Sequence, residues 1–316
     1  MKRIISVALV LICVLLASCS PDHESTSRGE ETDYDKVLET AQKYIDEGKY
    51  EGAYKALYGI CDYPEAKEML ADFKVLPLKA KGNGSAQTKP RSYVCEYSYD
   101  ENGVLLSKEE KLPNDVTKTY TYTYDEMGRL VKEAVKKVSP YTGSYESSNK
   151  TKTENSSITY TYNEHGDIVK EYIDEAIGWP YYLEYEFEYD ENGRKTSMYD
   201  LTQDETTYFT YNEQGQLTEK KNEYGTVFVF EYDQNGNLIK ETMGSNWVIE
   251  YTYDERNNLV KMVENYNIGE HNEIKYVHRY TYDEYGVLTA YSLTDINLAE
   301  YVEKYSEFKY FYCPEK

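Results

Sequence analysis

The sequence predicts a mainly β protein, a long curved antiparallel meander of hairpins preceded by a small α-helical segment. Three observations predict it. Of 316 residues, 38 are Tyr and 7 are Phe, and hydrophobic residues in total reach 40%, so the apolar surface is largely aromatic with a hydroxyl handle. From residue 92 onward one aromatic motif recurs eight times, and before it residues 33–73 show a 3.6-residue apolar period. The 35 basic side chains face 57 acidic ones, a formal charge of −22. No cluster of Lys and Arg is present to release phosphate counterions, so nucleic acid is set aside as a partner.

The first element is a leader. Lys2 and Arg3 precede an apolar run from Ile4 to Ala17, too short for the roughly 20 residues of a spanning helix. Leu16-Ala17-Ser18-Cys19 resembles the lipobox of bacterial lipoproteins, which implies a signal peptide over 1–18 and a diacylglycerol on the Cys19 thiol. The expectation is an exported chain, anchored to the membrane through that lipid and facing outward. Loss of residues 1–18 removes two positive charges, taking −22 to −24. Residues 19–32, polar and aperiodic, read as a flexible tether.

Export leaves Cys61, Cys95 and Cys313, an odd number without CxxC spacing. A Cys95–Cys313 clamp requires the repeat region to curl until its ends meet. The four His share no metal-ligand spacing with these cysteines.

Residues 33–73 read as helical. Asp33 is a cap for a helix carrying Val37, Ala41, Tyr44 and Ile45; Gly48 ends it; a second helix carries Ala53, Tyr54, Leu57 and Tyr58; and Pro64 opens a third. The stretch from Tyr44 to Ala53 resembles the middle of a tetratricopeptide repeat, where Gly permits the turn and Ala lets the helices approach. A single unit must bury its apolar stripe on the next domain or on a partner. Residues 74–91, rich in Lys, Gly, Asn and Ser, read as a linker.

The repeat spans residues 92–316. Tyr followed by Asp or Asn occurs at Asp100, Asp125, Asn163, Asp190, Asn212, Asp233, Asp254 and Asp283, each preceded by its Tyr. Three residues after each comes Gly103, Gly128, Gly166, Gly193, Gly215, Gly236 or Gly286, with Asn257 as the single replacement. Another aromatic stands two residues before each Tyr, and Leu or Ile six residues after, except at Lys195. This is a hairpin signature: Asp or Asn starts a type I turn and bonds the local backbone, and Gly supplies the left-handed residue of a G1 bulge. Asn is the non-glycine residue that best tolerates positive φ. In such a loop Tyr faces the Leu beyond the Gly, while the intervening Thr and Glu form a solvated opposite face.

The Tyr positions lie 25, 38, 27, 22, 21, 21 and 29 residues apart, and the longer intervals put insertions in the far turns, at Tyr141–Ser144 and Ile177–Pro180. Phe308, Tyr310 and Tyr312 restore the alternation with Cys313 in the Asp position, as a closing strand. Roughly 17 strands at about 4.8 Å each would make a sheet some 80 Å wide, and open sheets of that width curl.

Tyr-Asp-x-x-Gly-x-Leu with an aromatic two residues earlier resembles the YD-repeat signature of RHS-type proteins. The resemblance covers residues 92–316 and, with the lipobox and the helical segment, places the chain among short YD-repeat lipoproteins of bacterial surfaces. Large members wind such repeats into a hollow shell around a toxic C-terminal domain; here only Pro314 to Lys316 follow the closing strand, so an enclosing role is not carried over. The turn residues carry over as structural positions.

A repeat distributes like groups evenly, whereas catalysis needs unlike groups converging. The carboxylate pairs of the turns, Asp100-Glu101 among them, already have a turn role, and solvated acid is preferred to calcium there because neither an EF-hand loop nor a glycine-rich nonapeptide occurs. No motif calls for a cofactor or catalytic metal. The expected function is therefore a non-catalytic interaction or scaffold module. The alternative is a carbohydrate or cell-wall binding module, with Trp179, Tyr181 and Tyr182 in a far turn as its aromatic platform. Packing of those rings on their own hairpin is the reading preferred to an exposed platform, and the parity of Trp247 with Tyr251 and Tyr253 assigns Trp247 to packing.

Overall fold

The computed structural model describes residues 33–61, 63–86, 89–140, 151–175, 179–270, 273–296 and 300–314. Three helices lead: α1 (Tyr34–Asp46), α2 (Tyr50–Tyr58) and α3 (Pro64–Ala71). Eighteen strands follow: β1 (Phe73–Ala86), β2 (Lys89–Tyr99), β3 (Leu105–Leu112), β4 (Val116–Tyr124), β5 (Leu130–Pro140), β6 (Thr151–Tyr162), β7 (Ile168–Asp174), β8 (Tyr181–Tyr189) and β9 (Lys195–Asp200). The second half comprises β10 (Glu205–Tyr211), β11 (Leu217–Asn222), β12 (Val227–Tyr232), β13 (Leu238–Met243), β14 (Trp247–Tyr253), β15 (Leu259–Tyr266), β16 (Ile274–Tyr282), β17 (Leu288–Asp295) and β18 (Glu300–Pro314).

Every strand pairs antiparallel with its neighbours in the chain, and β1 also pairs with β18, from Phe73↔Pro314 to Asn83↔Lys304. The meander therefore curls into a hydrogen-bonded circuit. Eighteen strands at about 4.8 Å give a perimeter of roughly 86 Å, which closes at a diameter of about 27 Å before strand tilt widens it. The circuit is narrowest at β11–β12, where pairing runs only from Glu219↔Val229 to Lys221↔Val227.

One expectation is corrected. Of the supposed linker 74–91, residues 74–86 belong to β1 and 89–91 to β2. Pro77, Gly82 and Gly84 are punctuation in a local reading, but this strand is flanked by partners on both sides. Pro77 stands beside a bulge, where a strand tolerates a missing N–H.

The closing pair reproduces a repeat hairpin without its turn. In the first hairpin Tyr99 faces Leu105, Ser98 faces Ser107, and Leu106 is the extra residue. Across the seam Tyr310 faces Pro77, Lys309 faces Lys79, and Leu78 is the extra residue. Tyr310, not Tyr312, thus holds the repeat-Tyr position, so Phe311 rather than Cys313 stands where Asp would be. The ends do meet, but Cys95 lies opposite Ala80 and Cys313 opposite Lys74. Six residues of β1 separate those rows, about 20 Å at 3.3 Å per residue, beyond the reach of a disulfide.

All eight repeat turns, the start of β1 and the end of β18 lie at one rim, and the helices dock there. Asp33 Oδ1 accepts from Lys36 N at 3.2 Å and caps α1, and Gly48, at φ +70°, ends it. A Cβ on Gly52 would come within 3.2 Å of the Tyr44 ring, so glycine allows α1 and α2 their close approach. Their apolar stripe is buried on the next domain: Ala53, Tyr54, Leu57 and Leu70 pack with Phe73, Val75, Val287 and Tyr312. Tyr54 donates from its hydroxyl to Tyr285 O at 3.1 Å, which fixes α2 to the last repeat turn.

Candidate functional site

In each repeat hairpin Tyr faces the Leu, Ile or Lys beyond the turn: Tyr99↔Leu105, Tyr124↔Leu130, Tyr162↔Ile168, Tyr189↔Lys195 and so on to Tyr282↔Leu288. The turn Asp holds its own loop; Asp100 Oδ1 accepts from Asn102 N and Val104 N, both at 2.8 Å, and Asp125, Asp190, Asp233, Asp254 and Asp283 repeat this, as does Asn163. Asn212 Oδ1 accepts from Gln216 N. Gly103, Gly128, Gly166, Gly193, Gly215, Gly236 and Gly286 all have φ between +70° and +86°, and Asn257 has φ +59°.

The repeat Tyr also makes a bond that the motif did not disclose. Its hydroxyl reaches across to the previous hairpin and donates to the carbonyl of that hairpin's Leu: Tyr124 to Leu105, Tyr162 to Leu130, Tyr232 to Leu217, Tyr253 to Leu238 and Tyr282 to Leu259, at 2.6–2.9 Å. At the seam, Tyr310 donates to Leu288 O and Tyr99 to Pro77 O. Tyr189 is diverted to Asp167 Oδ2, at 2.5 Å. The signal was in the sequence: Phe in place of the repeat Tyr would pack as well but could not donate, and Tyr holds all eight positions. Tyr253→Phe is expected to cost about 1 kcal/mol, read as a lower denaturation midpoint at unchanged slope; an unchanged midpoint would mean that water replaces the bond.

The face opposite the exposed Ser98, Thr123, Thr161 and Thr252 is the crowded inner one. Across from its second aromatic row stand Lys108, Glu133, Glu171, Met198, Lys220, Glu241, Met262 and Tyr291. Lys and Glu stems are expected on this face from the sequence, but sequence parity hides which ones, because the bulge after each Leu shifts the following strand by one residue. Lys108 is only 4% exposed, 2.5 Å from Glu110 Oε1 and above the Tyr120 ring at 5.1 Å. Burial pushes the Glu133 carboxyl up, with Lys108 opposing, and pushes the Tyr97 and Tyr251 phenols far up. On the same face His278 Nε2 lies 2.8 Å from Glu264 Oε1, and its Nδ1 lies 2.9 Å from the Tyr291 hydroxyl. Burial raises the Glu264 carboxyl, but the His278 and Tyr266 hydrogen bonds and the His278 charge bring it below its usual value.

Two carboxylates sit between lysine pairs: Glu96 with Lys79 and Lys111, and Glu154 with Lys152 and Lys137. Those hydrogen bonds hold both at about 2. Each folded value lies below the unfolded one, so the stability they add is present above the unfolded pKa near 4.5 and lost as pH falls towards 2. Glu154→Gln is therefore expected to flatten the acid limb of a pH–stability curve in that window; a parallel curve would refute the assignment.

The aromatic platform is exposed rather than packed on its hairpin. Trp179 is 91% exposed and Tyr182 53%, while Tyr181 is exposed with its hydroxyl 3.4 Å from Glu175 Oε1. Tyr172, also exposed, faces Tyr182 across β7–β8, and Lys170 Nζ lies 4.5 Å above the Tyr182 ring. Trp247 packs edge-on to Phe228 at 5.8 Å. Cys19 lies outside the described residues, as does the insertion at 141–144. No group of His, Cys, Asp and Glu suited to a metal ion occurs among the described residues.

No curated protein matches the chain. Among solved structures, the TcdB2-TccC3 crystal structure is 14% identical over 78% of this chain and 17% of that one, with a TM-score of 0.32. A Photorhabdus luminescens Tc holotoxin pore gives the same identity, coverages and TM-score. The chain thus spans about a sixth of the length of these relatives. A porin-like protein from Bacteroides uniformis ATCC 8492 is 12% identical over 74% of this chain and 98% of that one, with a TM-score of 0.37. The Teneurin YD-shell model matches residues 96–312, from the second strand to the closing one, and by that match the chain belongs to the Teneurin YD-shell family.

Proposed function

We propose that this protein is a non-catalytic lipoprotein of the bacterial surface, tethered through lipid on Cys19, whose YD shell serves as a scaffold and interaction module. One observation carries the scaffold reading: the repeated polar groups are spent on the shell itself. Tyr hydroxyls tie most hairpins to the one before, turn carboxylates hold their own loops, and every described strand is paired on both sides. A shell so joined presents fixed outer surfaces without needing a partner to complete its sheet. The helical segment, packed on the rim, acts as a spacer between tether and shell.

The exposure of Trp179, Tyr181 and Tyr182 favours a second reading, carbohydrate or cell-wall binding by ring stacking. The deciding experiment is a pull-down of the full chain with purified cell walls, defined polysaccharides and surface proteins, with product analysis of each glycan. Retention by protein without turnover supports the scaffold reading. Retention by glycan that Trp179→Ala abolishes replaces it with the second, and release of cleaved sugar overturns both. In parallel, Cys19→Ser is expected to move the protein from the membrane to the soluble fraction; membrane retention would end the lipoprotein assignment.

A further inference from the structure

Of thirteen exposed large apolar side chains among the described residues, eight lie between β7 and β12. Three successive far turns present Trp179, Leu201 and Tyr224, and the outer faces of the adjoining strands present Tyr172, Tyr182 and Tyr208. All six lie between β7 and β12, consecutive neighbours in the circuit. Six strands at about 4.8 Å make this flank roughly 24 Å wide. A contiguous exposed aromatic patch of that size on a soluble surface marks an interaction site.

Charge specifies the partner. Residues 168–232 hold fifteen acidic and five basic side chains, a net −10 of the chain's −22 in about a fifth of its length. Glu175, Glu186, Asp204 and Glu223 are exposed there, without a lysine or arginine partner among the described residues. Such a field repels a second copy of the same flank and an anionic lipid surface. A lysine or arginine side chain is attracted both by the carboxylates and by the faces of exposed Tyr and Trp rings. The flank already contains one example: Lys170 lies over the Tyr182 ring and pairs with Glu184.

We propose that the outer face of β7–β12, with its three far turns, docks a lysine- or arginine-rich segment of a partner protein. This rests on the scaffold reading and names the chemistry of its partner. A short basic segment crossing the flank would lay its charged heads beside the carboxylates and its methylene stems on the rings.

The test uses the full chain in detergent and a fluorescently labelled ten-residue oligolysine, with anisotropy read at 0.15 M salt. Diffuse attraction to an acidic protein is separated from docking by one pair of substitutions that leaves charge unchanged on the flank and a second that removes charge away from it. Trp179→Ala with Tyr182→Ala is expected to weaken binding about tenfold. Glu101→Gln with Glu126→Gln, which remove charge at the opposite rim, should weaken it less than twofold. Both pairs are exposed turn or strand positions, and far-UV circular dichroism checks that the variants are folded. Equal binding by the aromatic double variant, or an equal loss at the two rims, overturns the proposal, as does displacement of oligolysine by a neutral hexasaccharide. The scaffold reading is judged separately by amide exchange. Slow exchange throughout the strand circuit keeps it standing even if oligolysine fails to bind, whereas rapid exchange at the β1–β18 seam removes it whatever binds.

Discussion

Lys108→Ala is expected to destabilise the shell by about 3–5 kcal/mol, the cost of leaving buried charges without their partner. Lys108 projects from β3 into the inner face, almost wholly buried, with Glu110 at 2.5 Å. Its charge also opposes the burial that raises the Glu133 carboxyl. After substitution, Glu110 keeps only the Tyr120 hydroxyl, at 3.1 Å, and Glu133 loses its cation. The pH dependence carries the sign of the mechanism. Without Lys108 to oppose burial, the Glu133 carboxyl is held further above its unfolded value, so the variant's deficit is largest at neutral pH and shrinks as pH falls through that raised value. Denaturant titrations at pH 7 and pH 5 would read this as two midpoints, with the variant closer to the parent at pH 5. Adding Glu110→Gln should recover part of the loss, since a neutral pair needs no compensation. A loss under about 0.5 kcal/mol at both pH values would show that water in the shell solvates these groups, as it does at exposed pairs.

The inner charges show what the motif could and could not disclose. The eight turns, their left-handed Gly or Asn, and the Tyr–Leu facing were legible because each follows from residues within seven positions of one another. Asn257, at φ +59°, is where that local chemistry is plainest. Lys108 and Glu133 were not legible, because whether a residue beyond the Leu points in or out depends on a bulge that shifts parity by one. β1 was hidden for a different reason. Its Pro and Gly residues argue against a strand locally, and only the simultaneous presence of β2 and β18 on its flanks settles the matter. The exposure of Trp179 was likewise a question of what lies beside a turn in space, which no local pattern holds.

Leu57→Ala should separate the helical layer from the shell. Leu57 is fully buried, within a cluster that joins α2 to Phe73, Val75, Val287 and Tyr312. Truncating a buried Leu costs about 3 kcal/mol, by lost transfer energy and the cavity left behind. The three helices are 13, 9 and 8 residues long, too short to persist without tertiary packing, so the loss falls first on them. Among the described residues the strand circuit touches this layer near the start of β1, the end of β18, the Tyr285–Val287 turn and Arg256 of the turn before it, all at one rim and far from β6–β9. Amide exchange is therefore expected to quicken across residues 34–71 and at the β1–β18 seam, with β6–β9 keeping the parent's protection. Equal acceleration in β6–β9 would contradict this, and would make the helices part of one cooperative unit with the shell. The difference bears on function: a layer that opens alone lets the tether and spacer move while the docking flank, on the far rim, keeps its shape.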